Sequence, residues 1–141
     1  MIRAIALDDE PPALRVLASF CGRLDFIDLQ KAFVRTDEAL DYLTNFPVDL
    51  LFLDINMPAL SGLDFHKLLP RPILVIFTTA YSEYAVDGFT LNAVDYLLKP
   101  FTFERFEQAV HKAQDAYRFR QQQAEESKPT FLYVRADYRL Y

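Results

Sequence analysis

The sequence predicts an α/β domain, a parallel sheet of five strands with helices packed on both faces. Short apolar runs recur five times, at residues 2–7, 27–34, 49–53, 73–77 and 94–98, and the segments between them carry helical spacing. Parallel neighbours need crossover connections, which are right-handed, and a strand–helix alternation supplies them. The strands are dominated by apolar residues, as strands covered on both sides are.

Each element has its own justification. The first strand reads IRAIAL. Residues 11–24 open with Pro11 and Pro12, which suit a first helical turn, and set Leu14, Leu17, Cys21 and Leu24 at intervals of three and four. Cys21 lies on that apolar stripe, without a second cysteine to pair with, and reads as a small core residue. After the second strand, Thr36 is expected as a helix N-cap. Asp37 and Glu38 there complement the helix dipole, Ala39, Leu40 and Leu43 face inward, and Pro47 forbids continuation. The third helix, 63–69, is short and stops before Pro70 and Pro72. A fourth, 82–89, is shorter still. From Thr102 the residues Phe103, Phe106, Val110, Ala113 and Tyr117 mark a long amphipathic fifth helix.

That helix sets the predicted domain boundaries. Residues 1–120 form the main domain, and 121–130, beginning with Gln121, read as a polar helix end passing into a linker, with Pro129 barring further helix. The remaining FLYVRADYRLY, 131–141, alternates like a strand starting a hairpin. A lone hairpin is marginal in water, so this piece is expected to belong to a second domain.

Composition narrows the class. At 141 residues with 52% apolar content the chain is one domain in size and can bury a proper core. Its apolar runs fall well short of the roughly 18–20 residues that cross a bilayer, so no membrane association is expected. The opening MIRAIALDDE lacks the order of a signal peptide, and a cytoplasmic location is expected. A net charge of −5 without a basic cluster argues against these residues gripping nucleic acid by themselves.

In open parallel sheets ligands sit beyond the carboxyl ends of the strands. Here those ends carry Asp8-Asp9-Glu10, Asp54, Thr78-Thr79 and Lys99-Pro100. Taken singly, each has a bland reading as a solvated turn or a structural hydroxyl. Their conjunction on one edge does not. Two carboxylates about 4 Å apart repel by roughly 4 kcal/mol at an effective dielectric near 20, and Lys99 is a single counter-charge. An all-oxygen site of this kind favours Mg²⁺, held by Asp8, Asp9 and Asp54 with a backbone carbonyl, assigned to Asn56. A cation beside a carboxylate, with a lysine and a hydroxyl opposite, also suits a phosphoryl group, which makes Asp54 the nucleophile.

These residues resemble the receiver domain of two-component response regulators. The resemblance runs from about Ile2 to Ala116 and rests on motifs in order: the acidic pair Asp8-Asp9, Asp54 in LDINMP with Gly62 following, Thr79 in TTA, and Lys99-Pro100. It implies a flavodoxin-like (βα)₅ doubly wound fold with strand order 2-1-3-4-5, and a cis peptide before Pro100. It also implies Asp54 as phosphoacceptor, Thr79 and Lys99 as its catalytic partners, Thr79 and Tyr96 as switch residues, and Asn56 and Tyr81 as residues that tune phosphoryl lifetime. IFTTAYSEYAVDGF followed by NAVDYLLKPF is similar to receivers of the LytTR (LytR/AlgR-type) sub-family, and FLYVRADYRLY to the start of the LytTR DNA-binding domain.

The resemblance implies the partners as well: a sensor histidine kinase as phosphoryl donor, DNA only through the missing C-terminal domain, and a homodimer through the fourth helix, fifth strand and fifth helix. Phe119, beyond Tyr117, is a candidate contact with a second copy. Two rival readings differ in class. A haloacid-dehalogenase-like Mg²⁺ phosphatase also uses a strand-end aspartate, but carries a second acid two residues on, where this sequence has Asn56. A phosphate-independent dimerisation receiver usually lacks one of the acidic residues, the acceptor or the lysine, and this sequence retains them all. The expectation is a phosphoacceptor, not an enzyme, with at most slow autodephosphorylation.

Overall fold

The computed structural model describes residues 1–82 and 93–126. Their elements run β1 (Ile2–Leu7), α1 (Pro11–Cys21), β2 (Ile27–Phe33), α2 (Thr36–Asn45), β3 (Leu50–Asp54), α3 (Gly62–His66), β4 (Leu74–Thr79), β5 (Asp95–Leu98) and α4 (Phe103–Glu126). Here α4 is the fifth helix expected from the sequence. The expected fourth helix at 82–89 lies, apart from Ser82, outside the described residues, as do 127–141.

The five strands form one parallel sheet in the order β2-β1-β3-β4-β5. Period-two alternation splits its side chains between two cores. Ala4, Ala6, Leu50, Phe52 and Ile76 pack under α1 and α4 with Leu14, Leu17, Phe106, Val110 and Ala113. Ile5, Leu7, Leu51, Leu53, Val75 and Phe77 pack under α2 and α3 with Ala39, Leu43 and Phe65. Leu50 to Leu53 are wholly inaccessible, as the middle strand of a doubly covered sheet must be. Cys21 is buried in the first core, and burial pushes its thiol up to about 12, which keeps it inert.

Several expectations shift in detail. The first helix ends at Cys21, three residues early, where the Gly22 N–H closes on the Ala18 carbonyl. Arg35, not Thr36, occupies the N-cap position of α2, without a side-chain cap. Its guanidinium instead donates to the Asp37 carboxylate at 2.6 and 3.0 Å, so the acidic first turn is tied down ionically. The third helix is a short turn, 62–66 rather than 63–69, opened by Ser61, whose hydroxyl accepts from the Asp64 N–H at 3.1 Å. β2 is an edge strand exposed over much of its length, not a doubly buried one.

Asp49 stands just before β3 instead of within it. Its carboxylate accepts from the Arg3 N–H and from the Arg3 guanidinium, at 2.8, 3.1 and 3.2 Å. The pair closes the amino-terminal end of β1 and β3.

Candidate functional site

Because all five strands run the same way, their carboxyl ends meet on one edge. Asp8 follows β1, Asp54 ends β3, Thr79 ends β4 and Lys99 follows β5. Four sequence-distant residues are thus brought together by topology alone.

Asp8 and Asp54 are almost fully buried, at 1% and 3% exposure. The Lys99 ammonium lies between them, donating to Asp8 Oδ2 at 2.7 Å and reaching Asp54 Oδ1 and Glu10 Oε1 at 3.5 Å each. The other Asp8 oxygen accepts the Glu10 N–H at 2.9 Å, which fixes the carboxylate's orientation. Lys99 is itself anchored by its N–H on the Thr79 carbonyl at 2.7 Å, and the Lys99–Pro100 peptide is cis.

Asp54 sits at the start of a tight loop. Asn56 N–H donates to its Oδ1 at 3.3 Å, and Gly62 N–H returns to the Ile55 carbonyl at 2.8 Å. A Cβ at position 62 would lie 2.2 Å from the Asp54 carbonyl oxygen, so only glycine fits. Across the site the fully buried Thr79 donates its hydroxyl to Asn56 Oδ1 at 2.9 Å and accepts from the Tyr81 N–H at 3.1 Å. Thr78, its neighbour, points to the other face and lines an apolar cavity of about 600 Å³ beside Val16, Phe20 and Phe101. Tyr81 is half exposed. Tyr96 pairs with Phe77 in register and its ring stacks on that side chain, 5.3 Å between centroids. Alternation along β4 puts Phe77 and Thr79 on one face, so Tyr96 shares the face of Thr79.

The charges do not balance. Asp8, Asp9 and Asp54 each bring a carboxylate oxygen to within 4.8 Å of the others, and among the described residues only Lys99 faces them with a positive charge at salt-bridge distance. Burial first, and then the negative charge of Asp8, push the Asp54 carboxyl up to about 7, against the pull of Lys99. The Lys99 ammonium is pushed down by burial, but its hydrogen bond to Asp8 and the charges of Asp8, Asp54 and Glu10 outweigh that and raise it. The lysine is held as a cation in a site that still has surplus negative charge. Hard oxygen donors in that number and spacing fit a Mg²⁺-sized divalent ion and offer nothing to a thiophilic one.

Two site features were missed by sequence reasoning. Glu10 was grouped with the acidic turn but not given a role, and it proves to be a third carboxylate on Lys99. The Asn56 side chain, assigned for its backbone carbonyl and for tuning, is the acceptor that holds the Thr79 hydroxyl. The Asn-x-Pro pattern after Asp54 signals a turn, and nothing in it reveals a partner 23 residues away.

The fold and the site together define an open parallel α/β domain with three carboxylates, a lysine and a threonine gathered at its strand ends. The chain belongs to the response regulator receiver domain family, whose model matches residues 4–111. It is 38% identical over 118 residues to the sensory transduction protein LytR of Staphylococcus saprophyticus, a match covering 82% of this chain and 46% of that protein. It is likewise 38% identical over 115 residues to the transcriptional regulatory protein BtsR of Salmonella typhi, covering 79% and 48%. The chain therefore spans about half the length of these relatives. Its receiver is LytR-like.

Solved structures agree. The response regulatory domain of mrkE from Klebsiella pneumoniae superposes with a TM-score of 0.74 at 29% identity, covering 83% of this chain and 98% of that one. The response regulator TrrA of Thermotoga maritima, solved in complex with Mg²⁺ and a beryllium fluoride, gives 0.69 at 30% identity, covering 80% and 99%. The fold is flavodoxin-like, as the strand order requires. Family membership replaces the haloacid-dehalogenase alternative. No helix among the described residues is long and apolar enough to cross a membrane.

Proposed function

We propose that this receiver accepts a phosphoryl group on Asp54 from the phosphohistidine of a sensor histidine kinase and thereby controls an attached DNA-binding domain. The observation that carries the reading is the surplus of buried carboxylate at the strand ends, with one lysine opposite. An unpaired buried charge is costly unless something binds it.

In the transfer, an Asp54 carboxylate oxygen attacks phosphorus, a P–O bond forms, the P–N bond to the donor imidazole breaks, and the departing nitrogen takes up a proton. Asp54 has to be ionised to act; in the metal-free site its raised pKa makes that ionisation sensitive to pH near neutrality, and a bound divalent cation would favour the ionised form. Asp8, Asp9 and Asp54, with the Asn56 carbonyl, would hold Mg²⁺, which when bound supplies positive charge beside the oxygens of the transferring group. Lys99 supports the reaction from the other side. Already 3.5 Å from Asp54, its ammonium is placed to bond a phosphoryl oxygen there.

The Thr79 hydroxyl can exchange its bond to Asn56 for one to the phosphoryl group, and Tyr96 is the aromatic that moves with it. Such a switch is a population shift between two packings, biased by new charge-assisted hydrogen bonds. Asn56 and Tyr81 flank the acceptor, exposed, where they would tune access of water and so the phosphoryl lifetime. The output is proposed to pass through β5 and α4 together with the fourth helix expected from the sequence, which lies, apart from Ser82, outside the described residues, and to pair two copies. The exposed Phe119 on α4 is available to such a contact. Residues 121–130 are proposed as the linker and 131–141 as the start of the DNA-binding domain. A cytoplasmic location follows from a kinase donor of this kind.

The test is phosphotransfer. Incubation with an autophosphorylated histidine kinase and Mg²⁺ should move label to the chain in a single stoichiometric step, with no sustained turnover of a small phosphate ester. Steady ester hydrolysis would instead support an enzyme, and absence of any transfer would support a receiver that works without phosphate.

A further inference from the structure

Among the described residues β5 is the outer strand of the sheet and has only four residues, so one side of its backbone faces no described strand. Such an edge is normally exposed and mobile unless something covers it. At Tyr96 the Asp95–Arg105 ion pair lies over it. The Tyr96 N–H donates to Asp95 Oδ1 at 2.8 Å, and the Tyr96 carbonyl accepts from the Arg105 guanidinium at 3.2 Å. The same guanidinium grips both Asp95 oxygens, each at 2.9 Å, and Lys112 adds a bond to Asp95 at 3.2 Å.

The geometry therefore closes a ring around a single peptide unit. Arg105 and Lys112 come from α4, Asp95 from β5, and what they enclose is the backbone of Tyr96. Asp95 is only 11% exposed and Arg105 37%, so the pair is shielded more than an ordinary surface bridge. Arg105 is also a fork-shaped donor, holding a carboxylate with two hydrogens and a carbonyl with another. Lysine cannot reproduce that. On the far side, the Tyr96 ring is stacked on Phe77 with an interplanar angle of 19°.

We propose that Arg105 is a positioning residue for the phosphorylation switch: through Asp95 it clamps the Tyr96 backbone so that the ring is held in its inward, Phe77-stacked pose. The inference rests on the reading of Tyr96 as the switch aromatic. Among the described residues Arg105 bonds Asp95 and the Tyr96 carbonyl and neither Asp54 nor Lys99, so its proposed influence on the phosphoryl site runs through the Tyr96 it holds. Linkage then demands reciprocity: a contact that favours the inward pose also favours whatever the inward pose binds better. The phosphorylated site is that ligand, because movement of Thr79 from Asn56 toward the phosphoryl group gives the ring, already stacked on Phe77, more room in this pose.

The experiment is a double-substitution cycle on the full 141-residue chain. Beryllium fluoride is titrated at saturating Mg²⁺ and followed by ¹⁹F NMR of the bound species, for the unsubstituted chain, Arg105→Met, Tyr96→Ala and the double variant. Arg105→Met should weaken half-saturation by about 2- to 30-fold, the range expected for a coupling residue remote from the ligand. Mg²⁺ affinity without fluoride should stay within about twofold, the scatter expected of uncoupled sites. In the Tyr96→Ala background the same substitution should shift fluoride binding by less than about twofold. Arg105→Lys, which keeps the charge but not the fork, should fall between, and it serves in place of Arg105→Met if that variant does not fold. An equal shift in both backgrounds, no shift, or tighter binding in Arg105→Met would each overturn the proposal. Failure of the underlying reading looks different: the unsubstituted chain would not bind the fluoride, or Asp54→Ala would still bind it.

Discussion

The two ends of the same sheet treat their carboxylates in opposite ways. At the amino end, Asp49 meets Arg3 through a two-toothed ion pair and a backbone N–H, one negative charge against one positive, and the end is closed. At the carboxyl end, Asp8, Asp9 and Asp54 crowd together against Lys99, with Asp8 and Asp54 more deeply buried than Asp49. Both are aspartates at strand ends. The difference lies in the balance of charge, and it separates a carboxylate that holds the fold together from one that, on the proposed function, is kept ready to react. Asp95, gripped by Arg105 and Lys112, belongs with Asp49 in this respect.

The contrast can be broken by removing the one cation. Lys99→Met should lower stability in metal-free buffer at pH 8 by about 3 kcal/mol, since it leaves the buried carboxylates with no counter-charge. Urea unfolding would measure it, and added Mg²⁺ should recover part of the loss by binding only the folded form.

Next in size is the effect of acidity. Asp54 has its folded pKa raised to about 7 from an ordinary value of 3.8, so between those values the folded state holds a proton that the unfolded state has released. Stability of the metal-free chain should therefore fall as pH rises from about 4 to 7, by on the order of 2–4 kcal/mol from this group, and level off above. Asp54→Asn should remove that slope and be the more stable protein at pH 8. Mg²⁺ affinity should rise over the same range, because the ion displaces the proton. Asp95 has the reverse sign. Burial pushes its pKa up, but the bonds from Arg105, the Tyr96 N–H and Lys112 outweigh that and lower it, so its contribution is present above about 3.8 and lost as pH falls below.

The smallest effect sharpens the comparison most. Asp49→Asn, the same isosteric change made at the other end of the sheet, should destabilise by about 1 kcal/mol, as loss of a half-exposed charged pair does. The two Asp→Asn changes should thus move the midpoint of denaturation in opposite directions. Equal signs would mean that the carboxyl end is as well compensated as the amino end.

Much of this was legible in the sequence, for physical reasons. The period of the apolar residues fixes strand and helix, and strand–helix alternation fixes the parallel sheet, so the meeting of Asp8, Asp54, Thr79 and Lys99 follows from topology. Boundaries were harder. Asp49 looks like the first residue of an apolar strand until Arg3, 46 positions away, is known to be beside it. Thr36 has the chemistry of an N-cap, but Arg35 already binds the acidic first turn and takes that position. The Asp95–Arg105 clamp is hidden for a similar reason: ten residues and a loop separate the partners, and no local pattern announces a bond to the Tyr96 backbone.

The uncompensated end of the sheet is, on the proposed function, where the phosphoryl group goes. Treatment with acetyl phosphate and Mg²⁺, followed by borohydride trapping and peptide mapping, tests it directly. The label should fall on Asp54 alone, require Mg²⁺, vanish in Asp54→Asn and persist in Asp49→Asn. Label remaining in Asp54→Asn, or found on Asp49, would contradict it.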